Sequence, residues 1–363
     1  MAPTHPVIKP APEVVVALSG GVDSSMAAVL LQTAGWEVHG LHFLLPTAPS
    51  MRQSRINAVE RVAKHLKIPV EMLDVGEVFC RSVIDPFVDA YLAGRTPNPC
   101  VVCNQRIKFE YLLNYAQSRG ILYIATGHYA RIRKKIESPG FELWRGADGE
   151  KEQSYFLHRL NQRHLSRTVF PLAEKRKEAL RKQARDVGLP VHSASESQEI
   201  CFLPEKDYRP LVEQREGPEV NREGSIVNEE GTIVGTHRGA FRYTIGQRRG
   251  LGVAAARPYY VKEIRPETNT VVVARKETLY TRRVEATGFN WIEGMPSQSV
   301  IEAQAQIRYR HKPASGQLRI ISSDKVSFTF DQPQWAVTPG QALVCYRGDR
   351  LIGGGWINAY PTG

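Results

Sequence analysis

Short apolar runs alternate with longer amphipathic segments between residues 13 and about 125 of the chain. The apolar runs, such as VVVAL and PVEMLDV, are rich in β-branched residues and have the length of buried strands. The segments between them have the period of helices that bury one face. Strands and helices that alternate in this way form a parallel sheet with helices on both faces. The sequence therefore predicts an α/β N-terminal domain.

The stretch ALSGGVDSS, residues 17–25, lies where the first predicted strand ends and the first helix begins. A helix N-terminus presents unpaired N–H groups and a positive partial charge, so it favours an anion such as a phosphate group. Two adjacent glycines allow the backbone to approach a ligand closely. Three hydroxyl groups are available as donors to phosphate oxygens, those of Ser19, Ser24 and Ser25.

Asp23 lies within this stretch, where its carboxylate would repel a phosphate group unless a cation lay between them. Mg²⁺ is the expected cation, because it prefers oxygen ligands and accompanies nucleotide phosphates. The stretch lacks the lysine of G-x-x-x-x-G-K-[ST], so it is not a Walker-type loop. SGGVDSS instead resembles the pyrophosphate loop of the N-type ATP pyrophosphatases. That resemblance implies an enzyme that cleaves ATP between its α and β phosphates and adenylates a substrate oxygen.

The chain carries a net positive charge of +11, with 48 lysine and arginine residues against 37 aspartate and glutamate residues. An extended polyanion such as a nucleic acid is a natural partner, although charge alone fits a merely basic surface equally well. The N-terminus is proline-rich without the apolar centre of a signal peptide, and no apolar run is long enough to cross a bilayer. We expect a cytoplasmic protein that does not bind membranes.

The sequence pattern changes after about residue 204, where short runs of β-branched and aromatic residues are separated by turn residues. This pattern predicts two small β-rich domains, the last of them a β-barrel. The predicted boundaries are 1–205 for the catalytic domain, 206–280 for a central domain and 281–363 for the barrel. The lysine- and arginine-rich segment 174–187 reads as an exposed helix, either as a solvated face or in contact with RNA.

Three of the five cysteines lie in two informative stretches. Cys100 and Cys103 occur in GRTPNPCVVCNQRIKF, residues 94–109, where we expect both to be exposed after Asn98 and Pro99, and Cys201 occurs in SESQEICFLP. An odd number of cysteines in a long chain argues against a disulfide framework. An adenylated carbonyl oxygen is a leaving group, and a thiolate or persulfide is a good nucleophile to displace it. Sulfur transfer is therefore the expected second half of the reaction.

These stretches and several others occur in the order typical of the bacterial tRNA-specific 2-thiouridylase family, which the chain resembles from about residue 14 to 357. The further stretches are ATGHYAR (125–131), QSYFL (153–157), YTIGQRRGLG (243–252), IRYRH (307–311), TPGQALVCY (338–346) and GGGWI (353–357). The resemblance implies a three-domain enzyme that converts uridine 34, the wobble base of the lysine, glutamate and glutamine tRNAs, to 2-thiouridine. Its sulfur would come from a cysteine desulfurase, a relay protein or free sulfide. A monomer is expected, because tRNA presents a large asymmetric surface.

By matching stretches, the resemblance also assigns roles to individual residues. ATP would contact Ala17, Leu18, Ser19, Gly20, Gly21, Val22, Asp23, Ser24, Phe43 and Gly127. The target base would lie against Asn98, Pro99 and Cys100, and the tRNA would also contact Lys151, Glu152, Gln153, Arg308 and Tyr309. The catalytic residues would be Asp23 in the nucleotide loop, Cys103 as the nucleophile and Cys201 as the carrier of a persulfide sulfur.

Cys100 departs from the pattern of many family members, which have aspartate at this position. With Cys103 and Cys201 it would supply three thiolates, the ligand set of a [4Fe–4S] cluster that keeps one iron open for an extra sulfide. The rival route passes a persulfide between Cys103 and Cys201, with Cys100 as a bystander or resolving thiol. A zinc site would need a fourth ligand that the sequence does not place nearby.

Two other functions remain open at this point. A ligase with the same loop would adenylate a small molecule instead of RNA, but it would leave the cysteines and the basic β-rich domains without a purpose. A tRNA-binding module with a degenerate nucleotide site would bind tRNA in a salt-sensitive way without consuming ATP.

Overall fold

The computed structural model describes residues 11–136, 138–191, 200–203 and 207–358. Within these ranges the strands are β1 (Glu13–Ala17), β2 (Glu37–Leu44), β3 (Val70–Asp74), β4 (Tyr123–Ala125), β5 (Ala130–Lys134), β6 (Phe141–Arg145), β7 (Thr168–Val169), β8 (Glu223–Val227), β9 (Ile233–Arg238), β10 (Tyr260–Arg265), β11 (Thr270–Ala274), β12 (Tyr280–Trp291), β13 (Val300–Gln306), β14 (Ala314–Ile320), β15 (Val326–Trp335), β16 (Ala342–Arg347) and β17 (Arg350–Ile357). The α-helices are α1 (Val22–Thr33), α2 (Pro49–Leu66), α3 (Gly76–Phe79), α4 (Asp85–Leu92), α5 (Pro99–Cys103), α6 (Glu110–Ser118), α7 (Gln162–Leu165), α8 (Lys177–Asp186) and α9 (Arg209–Glu216).

The first domain is built on a parallel sheet with the strand order β3-β2-β1-β4-β7. Val14, Val15 and Val16 of β1 are fully buried, as expected for a central strand covered on both faces. Helix α6 packs against Val15 on one face of the sheet. Helices α1, α2 and α8 pack against Val14 and Val16 on the other face. The predicted α/β fold is confirmed. The strand order reverses between β1 and β4, which is where such sheets bind ligands.

Two helical regions of this domain each contain a π-helical turn. One joins α3 to α4 at Cys80–Ile84, and the other joins α5 to α6 at Asn104–Phe109, directly after Cys103. The sequence predicts a helix only from about residue 109, but the structure begins it ten residues earlier, at Pro99, because proline is well suited to the first turn of a helix. Such π-turns often occur beside functional residues.

The rest of the chain forms the two β-rich units that the sequence predicts. Strands β10, β11, β8 and β9 form one sheet around Val261, Val271 and Val273. Strands β12, β15, β14, β13, β16 and β17 form the other, and pairing between β12 and β17 closes it into a barrel. The predicted boundary at residues 205 and 206 lies outside the described residues, and the boundaries remain predictions.

The first domain also extends the sheet of the barrel. The hairpin of β5 and β6 pairs with β17 through Leu143 and Leu351, so the first domain and the barrel share one continuous sheet. Among the described residues, there is no helix long and apolar enough to cross a membrane.

Candidate functional site

The serine hydroxyl groups of the loop between β1 and α1 form hydrogen bonds with the backbone of the same loop. Ser24 Oγ and Ser25 Oγ donate to the carbonyl oxygen of Gly21 at 3.1 and 2.9 Å, and the Ser19 N–H donates to Ser24 Oγ at 3.1 Å. Ser25 is fully buried, so its hydroxyl group braces the loop and is not placed to bind phosphate as the sequence predicted. The hydroxyl groups of Ser24 and Ser25 therefore hold the backbone of the loop itself.

Two glycines allow the loop to lie where it does. Gly20 has a φ of +78°, and a Cβ atom on it would lie 2.9 Å from Ala58 Cβ of helix α2. Gly127 follows β4, and a Cβ atom there would lie 2.7 Å from the carbonyl carbon of Asp23. The end of β4 thus packs directly against the first turn of α1, at the point where the strand order reverses.

Asp23 Oδ1 accepts two short hydrogen bonds, from Lys177 Nζ at 2.6 Å and from the Tyr129 hydroxyl group at 2.7 Å. The Lys177 side chain is only 9% exposed, and its backbone N–H donates to Asp148 Oδ2 at 2.8 Å. The cation that the sequence predicts beside Asp23 is Mg²⁺, which stays a prediction, and the structure adds a lysine ammonium group at the same carboxylate. The loop that lacks a Walker lysine therefore has a lysine from helix α8 beside it.

Lys177 was missed in the sequence, because the basic segment 174–187 reads as a solvated face or an RNA contact. That interpretation is wrong for Lys177, which is buried with Leu180 and Ala184 on the inner face of α8. The signal was present: these residues are spaced three and four apart, which places them on one face of a helix. A lysine on an apolar helical face requires a partner, and here it is Asp23.

Cys103 is buried on α5, with 6% of its surface exposed, and Cys100 is partly buried. The expectation that both would be exposed is wrong, because the chain is helical from Pro99 onward and turns Cys103 inward. Burial raises the pKa of Cys103 to about 12 and that of Cys100 to about 11, although the positive charge of Lys108 acts in the opposite direction. Both thiols are therefore protonated at neutral pH.

Cys103 and Cys201 pack in the same apolar cluster, together with Phe79, Phe87 and Phe202. The electrostatic influence of Cys201 on the pKa of both Cys100 and Cys103 also places the three thiols in one region. Arg55 of α2 donates from Nη2 to the carbonyl oxygen of Cys201 at 3.2 Å. The fold thus brings together two cysteine stretches that are far apart in the sequence. Phe43, predicted to contact ATP, packs against the same cluster.

The three thiols are not arranged as a metal ligand set. In the part of the chain that the structure describes, no group of three or more histidine, cysteine, aspartate and glutamate side chains could hold a metal ion. Cys100, Cys103 and Cys201 are all free thiols within those residues. The [4Fe–4S] cluster and the zinc site considered from the sequence therefore stay predictions, without support from the described residues.

The residues predicted to border the target base lie at the start of α5. Asn98 precedes the helix, and Pro99 is buried in its first turn. The barrel supports this turn, because Gln341 Nε2 donates to the carbonyl oxygens of Thr96 and Pro97 at 2.9 and 3.3 Å. Residues of the barrel therefore help to place the cysteine helix.

The residues predicted to touch tRNA lie in two segments with different surroundings. Lys151 is partly exposed at a cavity of about 650 Å³ that Arg176, Arg181 and Arg185 also line. Glu152 is buried and paired with Arg145 at 3.3 Å, so its carboxylate is placed to hold neighbouring residues. Gln153 pairs with both backbone groups of Tyr129, at 2.9 and 3.1 Å.

The second segment follows strand β13. Arg308 is partly exposed and donates to the carbonyl oxygen of Trp335 at 3.3 Å. Tyr309 lies against Phe156, with 4.3 Å between the ring centres. A cationic and an aromatic side chain are thus adjacent on the surface, a combination that suits phosphate and base contacts.

A parallel sheet with a pyrophosphate loop at its switch point, joined to two β-rich modules, defines an ATP-using enzyme of the pyrophosphate-loop class. Family models match along nearly the whole chain: a tRNA methyl transferase HUP domain at residues 12–205, a tRNA methyl transferase PRC-barrel domain at 214–275 and an aminomethyltransferase β-barrel domain at 281–357. The chain belongs to the tRNA-specific 2-thiouridylase MnmA family, as its curated relatives show.

Two of these relatives, both named tRNA-specific 2-thiouridylase MnmA, are 45% identical to this chain. The protein from Carboxydothermus hydrogenoformans matches over 95% of this chain and 97% of its own length. The protein from Syntrophotalea carbinolica matches over 95% and 98%. A solved 4-thiouridine synthetase in complex with RNA and ATP is 18% identical, covers 56% of this chain and 50% of its own, and has a TM-score of 0.38.

The resemblance inferred from the sequence is thereby confirmed. The protein is a tRNA sulfurtransferase that forms 2-thiouridine in an ATP-dependent reaction. The names of the family models refer to methyl transfer, but relatives that match across 95% of the chain are named for thiolation.

Proposed function

We propose that this enzyme thiolates uridine 34, the wobble base, of the lysine, glutamate and glutamine tRNAs, in two chemical steps. Adenylation of uridine O2 by ATP comes first, and attack of a persulfide sulfur at C2 follows. The observation that carries the proposal is that Cys103 and Cys201 share one apolar cluster in the same domain as the nucleotide loop. A ligase acting on small molecules would have no use for this arrangement.

In the first step, the phosphates of ATP bind at the N-terminus of α1, where Ala17 to Ser24 form the loop and Phe43 and Gly127 border it. The attacking oxygen is uridine O2, and pyrophosphate leaves from the α phosphorus. Lys177 offers a buried positive charge beside this loop, which stabilises the charge of the leaving pyrophosphate. Asp23 is the residue that would hold Mg²⁺, which when bound neutralises part of the phosphate charge.

In the second step, the terminal sulfur of a persulfide on Cys201 attacks C2, and AMP leaves with the former O2. Cys103 then attacks the Cys201 sulfur, which breaks the bond to the sulfur now on C2 and forms a Cys103–Cys201 disulfide. The proton of the Cys103 thiol goes to uridine N3, which adenylation had left without one. A dithiol reductant returns both cysteines to thiols.

The burial of Cys103 fits this order of events. Its thiol is protonated at rest, because burial raises its pKa to about 12. A protonated thiol is a weak nucleophile, so it does not attack the Cys201 persulfide before the adenylated base is present. Burial therefore protects the sulfur from premature release.

A single-turnover assay with ATP and a persulfide donor tests this proposal by measuring pyrophosphate release and 2-thiouridine formation. Two substrates are compared, a wild-type tRNA and a tRNA with cytidine at position 34. Cys103→Ser and Cys201→Ser should release pyrophosphate with the wild-type tRNA but form no 2-thiouridine. Asp23→Asn should do neither. Cys345→Ala, which alters a buried cysteine of the barrel, is the matched control and should thiolate normally.

The outcomes separate this proposal from its rivals. Pyrophosphate release without tRNA, stimulated by a small carbonyl compound, would favour a small-molecule ligase. Salt-sensitive tRNA binding with no ATP consumption would favour a binding module. The sulfur donor is identified by adding a cysteine desulfurase, a relay protein or sulfide to the purified enzyme and finding which of them restores turnover.

A further inference from the structure

Arg145 is the last residue of β6, the strand through which the first domain joins the sheet of the barrel. Its side chain is only 16% exposed. The guanidinium group lies 3.7 Å from the centre of the fully buried Tyr346 ring, which holds it by a cation–π contact. The two terminal nitrogens of the group point to different acceptors.

The first nitrogen, Nη1, donates to Glu152 Oε2 at 3.3 Å. Glu152 is 7% exposed, and its other oxygen accepts the backbone N–H of Ser154. The Ser154 hydroxyl group in turn pairs with the Tyr346 hydroxyl group at 3.1 Å. The carboxylate is thus fixed on both oxygens, and with it the backbone of segment 151–153.

The second nitrogen, Nη2, donates to Gln306 Oε1 at 2.9 Å. Gln306 is 5% exposed and ends strand β13. Its Nε2 donates to the carbonyl oxygens of Tyr309 and His311 at 3.2 and 2.8 Å. One amide side chain therefore holds the turn that carries segment 308–309.

We propose that Arg145 is a positioning residue for tRNA, because its guanidinium group joins segments 151–153 and 308–309, which come from different domains, and fixes the distance between them. The inference rests on the proposed assignment of those segments to tRNA. Charge-assisted hydrogen bonds in buried surroundings are strong and strict in geometry. Segments that are already in place do not have to be ordered when the RNA binds, so affinity rises without any contact between Arg145 and RNA.

Arg350 provides a matched control, because it spans the same junction without this geometry. It lies on β17 and is 28% exposed, and its ion pairs are with Glu142 at 2.9 Å and Glu293 at 3.6 Å. Loss of Arg350 therefore loosens the junction of the hairpin and the barrel through acceptors outside segments 151–153 and 308–309.

The experiment compares Arg145→Gln and Arg350→Gln in steady-state thiolation assays with tRNA. R145Q loses both guanidinium hydrogen bonds, so we expect the KM for tRNA to rise by at least about tenfold, the value for one such bond, while kcat and the KM for ATP stay within about twofold. For R350Q we expect a similar loss of thermal stability with an unchanged KM for tRNA. R145K keeps a positive charge near Glu152, but a single ammonium group cannot bond Glu152 and Gln306 at the same time. Its KM for tRNA should therefore lie between those of the wild type and R145Q.

Coupling provides a second readout. In a Lys151→Ala background, R145Q should raise the KM for tRNA by a smaller factor than in the wild type, because the two changes act through one segment. Purely additive effects would contradict the proposal. If R145Q is too unstable to assay, R145K carries the same comparison.

Failure of the positioning role of Arg145 can be distinguished from failure of the proposed tRNA contacts. If Lys151→Ala and Arg308→Ala raise the KM for tRNA but R145Q does not, the positioning role is wrong and the proposed tRNA contacts stand. If neither alanine variant changes that KM, the proposed contacts fail, and the inference fails with them. An R350Q variant whose KM rises as much as that of R145Q would reduce Arg145 to a general support of the junction and overturn the inference.

Discussion

Lys177 places its ammonium nitrogen 2.6 Å from Oδ1 of Asp23, although 154 residues separate the two in the sequence. The pair lies at the first turn of α1, and the N-terminus of a helix favours an anion such as a phosphate group. Helix α8 thus supplies the cation that other nucleotide loops carry within their own sequence.

Lys177→Met should lower tRNA-dependent pyrophosphate release about 100-fold, because it removes the buried positive charge beside the leaving phosphate. The rate is measured with saturating tRNA and varied ATP. Lys182→Met, on the exposed side of the same helix, is the control and should retain wild-type activity. Equal rates in the two variants would show that Lys177 takes no part in the ATP step.

Gly127→Ala should destabilise the protein by about 1–3 kcal/mol and weaken ATP binding, because the new methyl group would lie 2.7 Å from the backbone of Asp23. Urea unfolding and calorimetric titration with ATP measure the two effects. Gly149→Ala is the matched control, since a Cβ atom there meets nothing within 4 Å. Close packing at Gly127 is disproved if both variants bind ATP equally well.

Arg55→Met should lower 2-thiouridine formation about tenfold while pyrophosphate release changes much less. Arg55 holds the backbone of Cys201 by a hydrogen bond of 3.2 Å, and a bond to a charged group contributes about 1.5–3 kcal/mol. Both products are quantified in the same single-turnover reaction. Arg61→Met, an exposed position on the same helix, is expected to behave as the wild type. A parallel loss of both products in R55M would place Arg55 in the ATP step instead.

The buried thiols predict how stability depends on pH. Thiols of an unfolded chain titrate near pH 8.5, whereas burial raises the pKa of Cys103 to about 12 and of Cys100 to about 11. Above pH 8.5 the unfolded chain therefore loses protons that the folded chain keeps, and the free energy of unfolding falls as pH rises. Each thiol should contribute a loss of about 1 kcal/mol between pH 7.5 and 9.5.

Urea unfolding of the wild type and of a Cys100→Ala, Cys103→Ala variant at these two pH values measures this contribution. The variant should lose less stability than the wild type over the same interval. Identical losses would mean that the two thiols are accessible to water in the folded protein.

The features that the sequence predicts correctly are those that depend on local pattern. The runs that became β1 to β3 and the glycines at positions 20 and 21 signal a strand, a loop and a helix within a short window. The order of the stretches that resemble the family was sufficient to indicate it, and with it the cysteines that the fold brings into one cluster.

The features that the sequence did not predict depend on partners far along the chain. The pairing of β6 with β17 and the contact of Lys177 with Asp23 are non-local, and no short pattern specifies which strand or carboxylate is chosen. Cys103 was expected to be exposed because it follows Asn98 and Pro99 in the sequence. Proline at the first turn of a helix produces the same sequence and buries the thiol.

The central claim is that the nucleotide loop and the pair Cys103–Cys201 act in sequence on one uridine. The most direct measurement is the ratio of AMP to 2-thiouridine in a single turnover with a persulfide donor, with the modified nucleotide located by mass spectrometry. We expect one AMP for each 2-thiouridine, located at position 34 of the tRNA. AMP formed without 2-thiouridine, or sulfur found at another nucleotide, would contradict the account.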